Sequence, residues 1–165
     1  METDPRLVEA LEEVVEGLAV RAVHADAMRV PWADVLGDAP WRMASNLPYN
    51  VAVPVLLRLL HEAPGVDPML VMVHREVGER LAARPGEEAY GAVSLKVAYR
   101  AHVRVVRRVR PTVFWPEPAV DSVVVRLERR PPPVAEDEGA IIRLVEEGFR
   151  QLVAGGGFEP PTFGL

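Results

Sequence analysis

Between residues 41 and 83 the chain alternates twice between a short apolar run and a longer segment of helical length, and this alternation most constrains its fold. Trp41 to Ser45 has the length and character of a strand. Val51 to Leu60 is apolar at nearly every position and long enough for a helix, with Pro54 in the first turn, where a missing N–H costs little. Pro68 to Val73 is a second buried-strand candidate, and Arg75 to Ala83 a second helix, stopped by Pro85-Gly86. Strands and helices in alternation predict an α/β domain with a mainly parallel sheet. Ligands of such sheets bind at the carboxyl ends of strands.

The flanking segments extend the pattern. Asp4-Pro5 reads as an N-cap followed by proline in the first turn, and Leu7, Leu11, Val14, Val15 and Leu18 recur at helical spacing. The spacing predicts a helix from Asp4 to about Glu16, closed by Gly17, and then a buried strand over Leu18 to His24 that ends before Asp26. Pro31 to Pro40 reads as a connection with a small amphipathic turn around Trp32 and Val35. Asp26 and Asn46 therefore both fall at predicted strand ends. Further on, a helix is predicted over Val93 to Tyr99 and β-rich runs over Val103 to Val109 and Val120 to Leu127. Between those runs, Pro111, Pro116 and Pro118 stiffen a wide connection that carries Phe114 and Trp115. Pro131-Pro132-Pro133 reads as a linker, Gly139 to Gln151 as a short helix, and Gly155-Gly156-Gly157 ends the periodicity.

The 165 residues, 49% hydrophobic and 26% charged, describe about one soluble globular domain. No apolar run reaches the ~18 residues of a membrane span, and Met1-Glu2-Thr3-Asp4 does not open a signal peptide, so a cytoplasmic location is expected. There is no cysteine, and His24, His61, His74 and His102 show no ligand spacing, so no metal is expected. The net charge of -5 conceals an asymmetry. Lys96, Arg100, Arg104, Arg107, Arg108 and Arg110 form a run without an acidic residue, while negative charge gathers at Glu9, Glu12, Glu13 and Glu16, at Glu136, Asp137 and Glu138, and at Glu146 and Glu147. Such a stripe is either a phosphate-binding surface, effective within the ~8 to 10 Å over which salt screens, or a solvated strand face.

Asn46-Leu47-Pro48-Tyr49 sets an amide, a rigid turn and an aromatic ring directly after an apolar segment. An amine conjugated to a purine is a poor nucleophile, so an enzyme that methylates it must hold its lone pair toward the electrophile. The Asn46 side-chain oxygen can accept one amine hydrogen and the Leu47 carbonyl the other. Pro48 pushes Leu47 toward an extended conformation that presents its carbonyl, and Tyr49 can stack on an extruded base. The competing reading is a strand, a turn and a helix, with Tyr49 merely packing.

In order along the chain stand Glu2-Thr3-Asp4-Pro5, Asp26-Ala27-Met28, Asn46-Leu47-Pro48-Tyr49-Asn50, Glu76-Val77 with Glu79-Arg80-Leu81, Arg84-Pro85-Gly86, Tyr90-Gly91 and Phe114-Trp115-Pro116-Glu117-Pro118-Ala119-Val120-Asp121-Ser122. From Glu2 to about Gln151 this ordered set resembles the small-subunit ribosomal RNA adenine dimethyltransferases, the KsgA family. The resemblance implies a Rossmann-like fold, S-adenosylmethionine as cofactor, and methyl transfer to the N6 atoms of two adjacent adenines in rRNA of the immature small ribosomal subunit, by a monomer. It implies that Glu2 accepts from the cofactor ribose hydroxyls and that Asp26, with Ala27 beside it, accepts from the cofactor's adenine amine, with Asn46 also against the cofactor. Asn46, Leu47, Pro48 and Tyr49 then grip the target adenine, with Phe114 as its second wall, and the Lys96 to Arg110 stripe contacts the rRNA backbone. The sulfonium is already a strong electrophile, so no general base is demanded, and His74 is assigned a structural role.

The chain departs from the family at both ends. The resemblance implies a first strand and a glycine-rich turn upstream of Glu2, and places Met1 inside the second strand. The C-terminal helix motif begins at Phe149-Arg150-Gln151, and residues 152–165 do not resemble it. A truncated or frameshifted reading frame is expected, with a partial methyltransferase domain over 1–130, a linker and the start of a helical domain over 131–151, and a divergent tail. A sheet without its first strand leaves an unpaired edge and open apolar surface, which predicts weak stability and weak cofactor binding. Two other functions stay open: a non-catalytic RNA-binding remnant and a DNA adenine N6-methyltransferase.

Overall fold

The computed structural model describes residues 1–48, 50–133 and 138–156, with side chains to 151. Tyr49, Glu136, Asp137 and the tail from 157 lie outside the described residues. The elements follow in the order α1 (Pro5–Val14), α2 (Trp32–Leu36), β1 (Trp41–Asn46), α3 (Ala52–Glu62), β2 (Val66–His74), α4 (Arg75–Ala82), α5 (Ala92–Arg100), β3 (Ala101–Val109), β4 (Ser122–Arg129) and α6 (Glu138–Gly156). α6 runs past the Gln151 end expected of it.

The sheet has the order β1-β2-β4-β3. β1 and β2 pair in parallel, whereas β4 runs antiparallel to both β2 and β3. β1, β2 and β3 thus point one way, and β4 returns between the last two. The sheet is mixed rather than mainly parallel, because β3 reaches β4 through a proline-containing segment with only a 3-10 turn at Pro111–Val113. A parallel return would have needed a longer crossover, usually a helix.

α1 begins as expected, with the Asp4 side chain accepting from the Arg6 N–H at 2.9 Å, and the chain leaves it through Gly17 at φ +76°. Its apolar stripe finds little cover. Val8 is buried, but Leu7, Leu11 and Val14 remain exposed. The strand expected over Leu18 to His24 does not form. Among the described residues its one pairing is a parallel bridge between Glu2 and His24, and Leu18 and Val20 are 61% and 57% exposed. A strand is made by its neighbour, and here the neighbour is a single residue.

The core lies on one face of the sheet. Met69, Val71 and Val73 of β2 alternate with partly or fully exposed residues, as do Val123, Val125 and Leu127 of β4. Val55, Leu56, Leu59 and Leu60 of α3 join them in one cluster. Full burial of each such side chain contributes about 1.5 to 3 kcal/mol. α4 comes so close that Gly78 sits against Val73, Val123 and Val125. At the far end of β4, the Arg129 guanidinium donates to the carbonyls of Leu59 (2.8 Å), Leu60 (2.9 Å), Ala63 (2.6 Å) and Val66 (2.9 Å). It is the donor that Leu60 lacks, since the residue four further on is Pro64, and it adds a second donor to the Leu59 and Ala63 carbonyls, which also accept from the Ala63 and Val66 N–H groups at 3.0 and 3.1 Å. Burial lowers its pKa from the ordinary value, yet guanidinium remains charged at neutral pH.

α6 docks on α5 through charge. Glu138 pairs with Arg100, Glu146 with Lys96, and the Phe149 and Tyr90 rings meet at 6.1 Å. Among the described residues no helix is long and apolar enough to cross a membrane.

A β-carbon at Gly78 would lie 2.2 Å from Val123 Cγ2. Alanine there gains about 1 kcal/mol of helix propensity, but the buried clash outweighs it, for a net loss of about 1 to 2 kcal/mol. Urea unfolding of Gly78→Ala measures this, and an unchanged midpoint would contradict the packing. Hydrogen bonds from Arg100 are the main reason the Glu138 carboxyl lies below its ordinary pKa of 4.5. Its stabilising effect is in place above the unfolded-state pKa and is lost as pH falls through the lower folded value. Amide protection in α6, corrected for intrinsic exchange rates, is expected to fall once the pH drops below 4.5. Protection unchanged between pH 6 and about 3 would refute that coupling.

Candidate functional site

A cavity of about 480 Å³ opens at the carboxyl end of β1. Glu2, Asp26, Ala27, Asn46, Leu47 and Pro48 all line it. Residues separated by the whole of α1 and α2 are thus brought to one concave surface.

Glu2 is fixed by its bridge to the segment before Asp26. Its N–H donates to the Val23 carbonyl and its own carbonyl accepts from the Ala25 N–H, both at 3.0 Å. Its Oε1 accepts from the N–H groups of Thr3 (2.6 Å) and Asp4 (3.0 Å) and from the Thr3 hydroxyl (3.3 Å). The backbone donors, Asp4 first, hold the carboxyl below its ordinary pKa. Oε2 has no hydrogen-bond partner among the described residues. An ionised carboxylate with one free oxygen suits a pair of hydroxyls.

Asp26 opens a tight turn. Its Oδ1 accepts from the Met28 N–H at 2.8 Å, and its carbonyl accepts from Arg29 and Val30 at 2.9 and 2.8 Å. Oδ2 lies 3.5 Å from Nε of Arg29, whose side chain is 88% exposed. A surface pair of that length contributes little and yields readily to a better donor.

Asn46 ends β1 opposite Met72, with its side chain exposed. The next residue turns inward. Leu47 is 8% exposed, belongs to the core, and donates its N–H to the Met72 carbonyl at 3.2 Å. No donor reaches the Leu47 carbonyl among the described residues. The Pro48 carbonyl accepts from the Val51 N–H at 3.1 Å, closing the turn into α3.

Phe114 is half-buried and is not among the residues lining this cavity. It does lie in the connection that leaves β3 at Val109 and enters β4 at Ser122. Both residues pair at the level of His74, the carboxyl end of β2. Phe114 therefore belongs to the same end of the sheet as Asn46, without touching its cavity.

The basic stripe divides. Lys96 and Arg100 are neutralised by α6, whereas Arg104, Arg107, Arg108 and Arg110 stay exposed on or just beyond β3, with no carboxylate partner among the described residues. The β3 register sets Arg104 and Arg107 on one face, opposite Arg126 and Val124, and Arg108 on the other, opposite Val123.

Arg58 of α3 was not among the expected site residues. It donates to the carbonyls of Ala27 (3.2 Å) and Val30 (2.9 Å), while Glu62 holds it at 2.6 Å. The turn carrying Asp26 and Ala27 is thereby tied to the helix that follows Asn46. Its only trace in the sequence is a charged pair, Arg58 and Glu62, one turn apart on a largely apolar helix.

The sheet order, the helices beside it and the cavity at its carboxyl end make a Rossmann-like α/β fold. Two solved structures share it: a 23S rRNA methyltransferase, ErmE (TM-score 0.70, 24% identity, 94% of this chain and 61% of that one), and a dimethyladenosine transferase from Plasmodium falciparum (TM-score 0.69, 20% identity, 99% and 67%). The chain belongs to the ribosomal RNA adenine dimethylase family, whose model matches residues 1–151. It is 47% identical over 158 residues to a ribosomal RNA small subunit methyltransferase A of Thermobifida fusca, covering 92% of this chain and 54% of that protein. It is 44% identical over 161 residues to one of Nocardia farcinica, covering 92% and 55%. The chain thus spans about half the length of the curated relatives it matches.

Arg58→Leu keeps an aliphatic stem and removes both donors to the turn. Amides of residues 28–30 are expected to exchange about tenfold faster, a loss of roughly 1.4 kcal/mol of local protection. Unchanged exchange there would mean that the turn holds itself.

Proposed function

We propose that this chain is the methyltransferase-domain part of an S-adenosylmethionine-dependent rRNA adenine N6-dimethyltransferase, a cytoplasmic monomer acting on adjacent adenines of small-subunit rRNA during ribosome assembly. The observation that carries the reading is the convergence of Glu2, Asp26 and Asn46 on one cavity at the carboxyl end of β1.

The two carboxylate acceptors fit the nucleoside half of the cofactor. Glu2 accepts from the ribose hydroxyls through its free oxygen, and Asp26 from the adenine amine through Oδ2 once Arg29 swings away. When bound, S-adenosylmethionine supplies an electrophilic methyl group. This chain's own residues supply position. The Asn46 side-chain oxygen and the Leu47 carbonyl accept the two hydrogens of the target amine and turn its lone pair toward the cavity. Buried Leu47 gives that geometry its stiffness. Tyr49 stacks on the extruded base, and Phe114, at the same end of the sheet, is its second wall. Stacking of this kind typically stabilises a bound base by about 1 to 3 kcal/mol. Catalysis is then orientation in a dry pocket, and the proton leaves after attack.

Calorimetry with S-adenosylmethionine, joined to transfer of labelled methyl groups onto immature small subunits, tests the reading. Asn46→Ala is expected to lower transfer about 100-fold or more while far-UV circular dichroism stays unchanged. Retained transfer would remove Asn46 as the amine acceptor. RNA binding without any cofactor binding would favour the non-catalytic remnant, and preference for duplex DNA would favour a DNA methyltransferase.

A further inference from the structure

A second groove, of about 390 Å³, lies between the end of α4, the loop after it and the edge strand β3. It shares no lining residue with the cavity at β1. The two sit at opposite edges of the sheet, three strand spacings or about 14 Å apart in the pairing direction. Arg84, Arg104 and Arg130 line it. Among the described residues none of these guanidiniums pairs with a carboxylate. The one acidic residue in the lining, Glu128, already accepts from Arg126 at 2.6 Å. This differs from Lys96 and Arg100, whose charge α6 cancels. The groove also has an apolar floor at Leu81 and Ala101, with half-buried Tyr90 at its side.

We propose that this groove is a second RNA site, in which Arg84, Arg104 and Arg130 hold backbone phosphates of the substrate strand away from the reacting adenine. It rests on the rRNA reading given above. Guanidiniums without internal partners are matched to phosphate, which they bind in bidentate fashion. An apolar floor with a tyrosine suits the ribose faces between phosphates. A concave slot of this kind fits a single polynucleotide strand better than the flat surface of an acidic protein. The loop carrying Arg84 is built for display: the Arg84 N–H is held by the Glu87 carboxylate at 2.8 Å and Gly86 takes φ +91°, while the Arg84 side chain stays exposed. Arg130 is fixed through its backbone, its N–H donating to the Arg100 carbonyl at 2.9 Å. Two anchoring points at opposite sheet edges would set the direction in which RNA crosses the domain.

The test is binding of a fluorescently labelled RNA hairpin to the full chain without cofactor, by anisotropy over a range of salt concentrations. Losing three phosphate contacts in Arg84→Gln/Arg104→Gln/Arg130→Gln lowers the log–log salt slope by about 2 to 3, and Arg84→Gln alone, on an exposed loop, by about 1. Arg6→Gln, which removes charge from a helix elsewhere, leaves the slope unchanged. Parental slopes in both the triple and the single variant would overturn the proposal, as would a parent chain that fails to bind the hairpin. Because the measurement needs neither cofactor nor methyl transfer, it can fail while the catalytic reading stands, and the reverse.

Discussion

The guanidinium of Arg129 ties together the parts on which the site is built. A helix C-terminus leaves carbonyls without partners, and α3 ends against the start of β2, where water is largely excluded. Four carbonyls there accept from one side chain delivered by the last residue of β4. The Leu59 and Ala63 carbonyls also accept backbone N–H groups, but Leu60, four residues before Pro64, has no helical donor, and leaving it unpaired would cost about 1 to 3 kcal/mol. The contact fixes α3, β2 and β4 to one another. α3 is the helix that begins just after Asn46, and β2 is the strand on which β1 pairs. The position of Asn46 therefore depends on an interaction at the far end of the domain.

At the near end a second arginine does comparable work in weaker surroundings. Arg58 joins α3 to the turn that carries Asp26, so one helix organises both sides of the cavity. α1 contributes less to packing than its pattern implies, since most of its apolar stripe remains exposed. Among the described residues β1 pairs only with β2 and so presents a bare edge beside the same cavity. The carboxyl end of the sheet is consequently held mainly from the α3 side.

The features legible in the sequence were those set by local chemistry. Asp4 and Pro5 announce the start of α1, and the run from Trp41 to Ala83 announces β1, α3, β2 and α4, because periodicity and capping act within a few residues. Leu18 to His24 has the composition of a strand, but pairing is supplied by another segment, which composition cannot report. The direction of β4 was hidden for the same reason. Arg58 and Arg129 act on carbonyls 28 to 70 positions away. Lys96 and Arg100 looked like part of one basic surface until α6, 38 to 50 positions later, brought carboxylates to them. Ordered motifs placed Glu2, Asp26 and Asn46 in one site, and the fold brings them together. They also grouped Phe114 with that site, and it lies outside the cavity, because a motif records shared ancestry rather than distance.

Leu47 joins two materials with different tolerances. Its side chain belongs to the packed interior, where a missing methylene is felt, and its backbone lines the cavity in which we propose that an amine is aligned. A substitution in the core cluster that Leu47 joins, at Val55 for instance, would shift its carbonyl oxygen by a fraction of an ångström. The fold would register this as a small change in stability. A reaction that depends on alignment would register it as a change in rate, so in this domain variation in the interior is a means of tuning turnover without altering any residue that meets the substrate.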